Sequence, residues 1–268
     1  MGVAAGIVLA GGRSSRMGTA KAGLEWHGST LLRHVTGLVA RAVGGPVVVV
    51  RAPGQALPAL RAEVEVVEDP REGLGPLQGL ATGLGAVSDR AEVAFACSTD
   101  LPFLHPAFAR RVLDALDGGA DIGLPVVRGY PQPLAAAYRT TLAGVAARMV
   151  AAQRPRLTLL LDECEVARLD EAALAAVDPG LGSVVNLNEP AEYEAARARP
   201  APLVTVLWAG ARESRTTVRA ATLAAAAAAV GLVLDRCMAV SLNGAMARSD
   251  GALPLVPGDA VCFYPADE

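Results

Sequence analysis

Lysine is almost absent from this 268-residue chain: of its 24 basic residues only Lys21 is a lysine, and every other one is arginine. A net charge of -3, with the basic residues scattered, excludes a nucleic-acid-binding face and a polybasic membrane patch. The cysteines, Cys97, Cys164, Cys237 and Cys262, lie far apart without paired spacing. That excludes a zinc site and a disulfide framework, and leaves free thiols suited to a reducing compartment. His27, His34 and His105 have no metal-ligand spacing and no serine or cysteine partner pattern, and His34 falls inside a helical stretch where a structural role is expected. No basic region precedes the first apolar segment, which is too short for a signal sequence or a membrane span, so a cytoplasmic protein is expected. A hydrophobic fraction of 52% is ample for a core without covalent staples.

What is present is organised around Leu9 to Lys21, LAGGRSSRMGTAK. The run from Gly6 to Ala10 is short, apolar and partly β-branched, which predicts a buried strand feeding a glycine-rich turn. Gly11 and Gly12 allow the close backbone approach of an anion cradle, and Arg13, Arg16 and Lys21 add positive charge for phosphate oxygens. Where arginine is otherwise preferred, a retained ammonium supplies a compact charge without the planar guanidinium fork. The plainer alternative is a surface lysine in a loop. Walker A does not fit, because Gly18 is followed by Thr19, and neither does the dinucleotide fingerprint, because Gly11 and Gly12 are adjacent.

Thr30 to Val43 places Leu31, Leu32, Val35, Leu38, Val39 and Ala42 on one side of a helix capped by Ser29 or Thr30. Pro46 to Arg51 then reads as a strand covered on both faces. Strand, helix, strand implies a parallel sheet. Further strands are predicted at Val64–Val67, Val93–Cys97, Ile122–Val127, Leu134–Tyr138 and Val184–Leu187. Helices are predicted near Leu77–Val87, Pro106–Leu116, Thr141–Ala152 and Pro190–Ala198. Arg197 to Pro202 reads as a linker, dividing an α/β domain, residues 1–200, from a small α+β domain, residues 201–268. In the latter, Leu203–Trp208, Ala239–Leu242 and Ala260–Tyr264 are predicted strands and Thr217–Val230 a helix.

Asp100, in Ser98–Pro102 (STDLP), follows a strand and is expected at its carboxyl end, where open α/β sheets collect ligands. A carboxylate there suits Mg²⁺, and Pro106 is too far along for Asp100 to cap the next helix directly. Asp69 precedes a glycine-proline turn, Gly75 to Gly79 (GPLQG), that opens a helix and presents free N–H groups. By itself the Asp69-Pro70 pair is an ordinary turn. Gln132 to Leu134 (QPL) and Asn186 to Pro190 (NLNEP) come later. Asn186 and Asn188 alternate and so share a face of an expected strand end, as metal or phosphate ligands or equally as solvated turn residues.

The pattern L-A-G-G-x-S-x-R-M-G-x-x-K, with GPLQGL, STDLP and NLNEP, resembles the molybdenum cofactor guanylyltransferases and their nucleotidyltransferase relatives. The resemblance implies a mainly parallel, Rossmann-like nucleotidyltransferase domain. It implies that Leu9, Ala10, Gly11, Gly12, Lys21, Asp69, Gly75 and Asp100 bind the nucleotide and that Arg16, Lys21 and Asp100 serve catalysis. Asp100 would hold Mg²⁺, Asp69 the guanine edge, and Gln132, Asn186 and Asn188 the acceptor side. The family's asparagine after the second strand is replaced here by Arg51 or Ala52. The implied reaction joins GMP from GTP to molybdopterin and releases pyrophosphate. A cytidylyltransferase or sugar-phosphate nucleotidyltransferase is the alternative, and Gly11-Gly12 in place of Ala-Gly leans toward GTP. The second domain resembles the β-grasp sulfur carriers through VSLNGAMA and LVPGDAVCFYP. With Pro265-Ala266-Asp267-Glu268 in place of a Gly-Gly ending, sulfur carriage is not expected, and docking onto a pathway protein such as the molybdopterin synthase large subunit is.

Overall fold

A computed structural model of the chain describes residues 3–11, 21–209, 214–235 and 238–264. The chain divides into two compact units, one of Met1–Leu24 and Thr30–Pro190, the other of Glu25–Ser29 and Ala191–Glu268.

In chain order the elements before residue 190 are β1 (Ala4–Leu9), the two-residue strands β2 (Glu25–Trp26) and β3 (Ser29–Thr30), which fall in or border the second unit, α1 (Leu31–Ala42), β4 (Val47–Arg51) and β5 (Val64–Glu68). There follow α2 (Pro76–Val87), β6 (Val93–Ser98), α3 (Pro106–Asp114), β7 (Ile122–Val127), β8 (Tyr130–Pro131), β9 (Ala135–Arg139), α4 (Leu142–Ala151), α5 (Leu157–Asp162), β10 (Val166–Leu169) and α6 (Glu171–Ala175). The main sheet runs β10-β7-β9-β6-β1-β4-β5, with β8 paired to β7. Strands β1, β4, β5 and β6 pair in parallel, and β9 runs antiparallel to both β6 and β7. The sheet is therefore mixed but mostly parallel.

Local sequence explains these elements. Val47 to Val50 are all buried, as expected of a parallel strand covered on both faces. Thr30 caps α1, its side chain accepting from the Arg33 N–H, and α1 turns Leu31, Leu32, Val35, Leu38 and Val39 inward. His34 is buried in this helix with Nε2 2.8 Å from the Pro102 carbonyl oxygen, a structural role. On the opposite face, Leu77, Leu80 and Leu84 of α2 and Leu142, Ala146 and Met149 of α4 pack with Ile7, Val48, Val50 and Ala94. Gly83 permits the close approach of α2: a Cβ there would lie 2.5 Å from Ile7 Cγ2 and 3.2 Å from Val50 Cγ2. His105, not Asp100, caps α3, its Nδ1 accepting from the Ala107 N–H at 3.1 Å.

One expected strand is absent from its place. Residues 182–184 form a 3-10 turn and 185–188 continue without ladder partners. The cause is local: Leu181 takes a left-handed conformation (φ 47°) and the Ser183 N–H donates to Asp178 Oδ2, which turns the chain instead of extending it.

The second unit holds α7 (Pro190–Arg197, its first residue in the first unit), β11 (Leu203–Trp208), β12 (Ser214–Arg219), α8 (Leu223–Ala229), β13 (Ala239–Leu242), β14 (Ala245–Ala247) and β15 (Ala260–Tyr264). Its sheet runs β12-β11-β15-β13-β14, with β11 and β15 parallel and the flanking pairs antiparallel. The expected helix from Thr217 is corrected to a strand followed by a shorter helix. Thr216, Thr217 and Val218 are β-branched and pair with β11, and α8 begins only after Thr222 caps it. Leu223, Ala226 and Ala227 pack on Val204, Val206, Val240, Val261 and Phe263. The VSLNG and PGDA stretches are stitched together: Asn243 Nδ2 donates to Asp259 Oδ1 at 2.9 Å, and Asn243 Oδ1 accepts from the Ala260 N–H at 2.8 Å.

Candidate functional site

The carboxyl ends of β1, β4, β5 and β6 lie on one edge of the main sheet, and the motif residues gather there. Lys21 opens a short 3-10 turn, Lys21–Gly23. Its Nζ lies 2.7 Å from Asp100 Oδ2 and 3.3 Å from Asn188 Oδ1. The Lys21 and Asp100 side chains are only 19% and 14% exposed. Three motifs separated by tens of residues thus meet at one ammonium.

Each partner is placed by identifiable bonds. The end of β6 is tied to the end of β1, because the Thr99 N–H and Oγ1 both donate to the Leu9 carbonyl, at 3.2 and 3.0 Å. Ser98 Oγ donates to Asp100 Oδ1, leaving Oδ2 to Lys21. The late segment is drawn in by the Leu187 N–H, 3.0 Å from the Asp100 carbonyl oxygen, and by burial of the Leu187 side chain. Asn188 follows and reaches Lys21, whereas Asn186 is exposed. Of the predicted pair, the structure brings one to the lysine.

A second cluster lies at the β5 end. The Asp69 N–H donates to the Arg51 carbonyl at 2.9 Å, and Asp69 Oδ1 accepts from Thr82 Oγ1 at 2.7 Å. Burial holds the Asp69 carboxyl above its usual pKa, and hydrogen bonds from Thr82 and Gln78 oppose that rise in part. Gly79 lets α2 sit close, since a Cβ there would lie 3.6 Å from Asp69 Oδ2 and 3.2 Å from Leu9 Cδ2. Gly75 precedes α2 with φ 78°, a conformation that disfavours a side chain, and Pro76 opens the helix.

Leu9 ends β1 and is buried, Ala10 is half-buried, and Gly11 is exposed as the loop departs. The N–H groups of Ala10 and Gly11 both donate to the Val50 carbonyl, at 2.8 and 3.3 Å. Gly12 and Arg16 lie outside the described residues. Gln132 follows the β8 turn, its Nε2 donating to the Tyr130 carbonyl at 3.1 Å and its own carbonyl accepting from the Ala135 N–H. Leu134 in turn receives the Ser98 N–H at 3.2 Å, so QPL adjoins the Asp100 strand. Thr82 carried no motif signal in the sequence, and Ser98 opens the STDLP stretch without a role of its own being expected. Thr82 could have been found as the residue one helical step from Gly79 on the face toward Asp69.

Among the described residues no cluster of three or more His, Cys, Asp or Glu side chains could hold a metal ion. The oxygens of Asp100 and Asn188 do converge on a single cation, the Lys21 ammonium. One carboxylate and one amide oxygen suit a hard divalent ion that takes its remaining ligands from phosphate and water.

A doubly wound sheet whose strand ends collect Gly11, a lysine and two separate carboxylates defines an α/β nucleotide-handling protein. Solved structures agree on the fold. The molybdopterin-guanine dinucleotide biosynthesis protein A of Archaeoglobus fulgidus superposes with a TM-score of 0.60 at 22% identity, covering 72% of this chain and 96% of that one. The 2-C-methyl-D-erythritol 4-phosphate cytidylyltransferase of Thermus thermophilus gives 0.51 at 18% identity, covering 74% and 98%. The sequence pattern of the MobA-like NTP transferase domain matches residues 6–166. A probable molybdenum cofactor guanylyltransferase of Mycobacterium marinum is 40% identical over 181 residues, 65% of this chain and 88% of the relative. One from Mycobacterium bovis is 38% identical over 188 residues, 66% and 90% of the two chains. The chain belongs to the MobA-like NTP transferase family. Among the described residues no helix is long and apolar enough to cross a membrane.

Proposed function

We propose that this nucleotidyltransferase is a molybdenum cofactor guanylyltransferase, joining GMP from GTP to molybdopterin. The observation that carries the reading is the convergence of Asp100 and Asn188 on Lys21, supported by relatives of that name at about 40% identity. The terminal phosphate of molybdopterin attacks the α-phosphorus of GTP in line. A new phosphoanhydride bond forms, the bond to the β-phosphate breaks, and inorganic pyrophosphate leaves with the electron pair. The glycine-rich motif that follows Gly11 would offer backbone N–H groups to phosphate, and Lys21 and Arg16 would oppose the charge on the transferring and leaving groups. Asp100 and Asn188 are the residues that would hold Mg²⁺, which when bound offsets charge on phosphate oxygens. The remainder of the work is positioning.

Asp69 favours guanine over cytosine. An ionised carboxylate is an acceptor only, which matches the N1–H and amino donors of guanine and not the mixed edge of cytosine. Residues 1–200 would carry this reaction. The smaller domain, residues 201–268, we read as β-grasp, supported by its strand order, and as a docking module for a protein of the same pathway, such as the molybdopterin synthase large subunit. Copurification of that subunit with the full chain but not with residues 1–200 tests the docking.

The test of the enzyme is calorimetric titration of GTP, CTP and ATP, with Mg²⁺, into the wild type and Lys21→Ala. Selective GTP binding that weakens in the variant is expected. Preference for CTP would move the protein to cytidylyl transfer, and absence of nucleotide binding would refute the reading.

A further inference from the structure

We propose that Gln55 is a positioning residue for the nucleotide, tying the turn after β4 to the end of β1 and so fixing where the glycine loop leaves the sheet. The inference rests on the nucleotidyltransferase reading of this site. Gln55 Oε1 accepts from the Ala52 N–H at 3.0 Å, and Nε2 donates to the Ala10 carbonyl at 3.0 Å. One amide orientation alone satisfies both bonds. At this junction the N–H groups of Ala10 and Gly11 are held by β4 and the Ala10 carbonyl by Gln55. The contact is close: a Cβ on Gly11 would lie 3.2 Å from the Ala52 nitrogen.

The turn carrying Gln55 is itself braced. Arg51 Nη1 donates to the Gln55 carbonyl at 3.2 Å, Arg51 Nη2 pairs with Glu68 Oε2 at 2.9 Å, and the Gln55 N–H donates to the Ala52 carbonyl at 3.1 Å. The Arg51 carbonyl accepts from the Asp69 N–H. A continuous run of hydrogen bonds therefore links Ala10, at the root of the phosphate loop, through Gln55 and the β4 turn to Asp69, the proposed base acceptor. Gln55 sets the distance between the two ends of the nucleotide site.

Gln55→Met keeps the length of the side chain and removes both bonds. Gln55→Glu keeps the acceptor for Ala52 and sets a carboxylate against the Ala10 carbonyl. GTP with Mg²⁺ is titrated into the wild type and both variants, and each is melted without ligand. The expected result is a GTP dissociation constant raised about tenfold in Gln55→Met and at least as far in Gln55→Glu. The KM for GTP rises while kcat holds, because the tie touches no reacting atom. A structural role alone would lower the melting midpoint and leave GTP affinity of the folded protein unchanged, and that result overturns the inference. So does wild-type GTP affinity in both variants. A wild type that binds no nucleotide rejects the enzyme reading, and this inference with it.

Discussion

Gly83→Ala tests whether the approach of α2 to the sheet is as tight as the structure has it. In an open helix the change should stabilise, since alanine is favoured over glycine by about 1 kcal/mol. Here the added methyl would lie 2.5 Å from Ile7 Cγ2, 3.2 Å from Val50 Cγ2 and 3.3 Å from Ile7 Cδ1. Both neighbours are β-branched, at most 1% exposed, and held in central strands, so neither can swing aside. Overpacking of this kind costs roughly 1–3 kcal/mol, and the shortest contact argues for the upper end. The net expectation is a loss of about 1–2 kcal/mol, a fall of roughly 2–8 °C in melting midpoint for a domain of this size. Gly85 is the control: it lies on the same helix, and a Cβ there meets nothing within 4 Å. Gly85→Ala should therefore leave the midpoint unchanged or raise it. Both variants are melted by circular dichroism and titrated with GTP, and Gly83→Ala should also weaken GTP because α2 carries Gly79 and Thr82 against Asp69. Stabilisation by both substitutions would refute the packing argument.

Thr82→Val removes the hydroxyl that donates to Asp69 Oδ1; titration should show GTP weakened by about 2- to 10-fold, with ATP little changed. GTP binding should be lost on acidification at a pH above that of an ordinary carboxylate, because burial raises the Asp69 pKa and only the ionised form accepts from guanine. The stability linkage runs the other way. With the folded pKa above the unfolded one, the fold binds the proton more tightly, and Asp69's contribution to stability falls as pH rises from its unfolded toward its folded pKa. Affinity and urea stability measured across that window should trend oppositely, and Asp69→Asn should flatten both. Asp100→Ala should abolish pyrophosphate release while leaving the melting midpoint close to wild type; wild-type turnover would reject its role.

Much of this was legible because the sequence repeats one message at several levels. The valines of β4 could only be a covered strand, Thr30 caps α1 as its position implies, and the LAGG stretch leaves β1 where the apolar run ends. Failures came where a local preference competed with a distant partner. The alanines after Thr222 drew the helix expectation back over Thr216 to Val218, which pair instead with β11. At Val184 to Leu187 the residues are strand-like, but no neighbour offers a ladder and Leu181 bends the chain away. Choosing between Asn186 and Asn188 required the Leu187 to Asp100 bond, a contact across 87 positions that periodicity does not encode. Ser98 and Thr82 are single hydroxyls whose importance lies in what they face.

The antiparallel strand β9 matters most for how the site is assembled. In a wholly parallel sheet each strand delivers the residues that follow it to the ligand edge, as β1 delivers Gly11, β5 delivers Asp69 and β6 delivers Asp100. Strand β9 enters from that edge, so it delivers the residues that precede it, Gln132 to Leu134, and pins them beside Ser98. Along the edge from β5, the order is Asp69, the Arg51–Gln55 turn, Gly11, Asp100 and then Gln132. On the proposed function these are the base, tie, phosphate, metal and acceptor positions, an order that departs from the order of the chain. Strand β9, reversed against β6, is therefore what brings residues that precede a strand to the same edge as Asp69, Gly11 and Asp100.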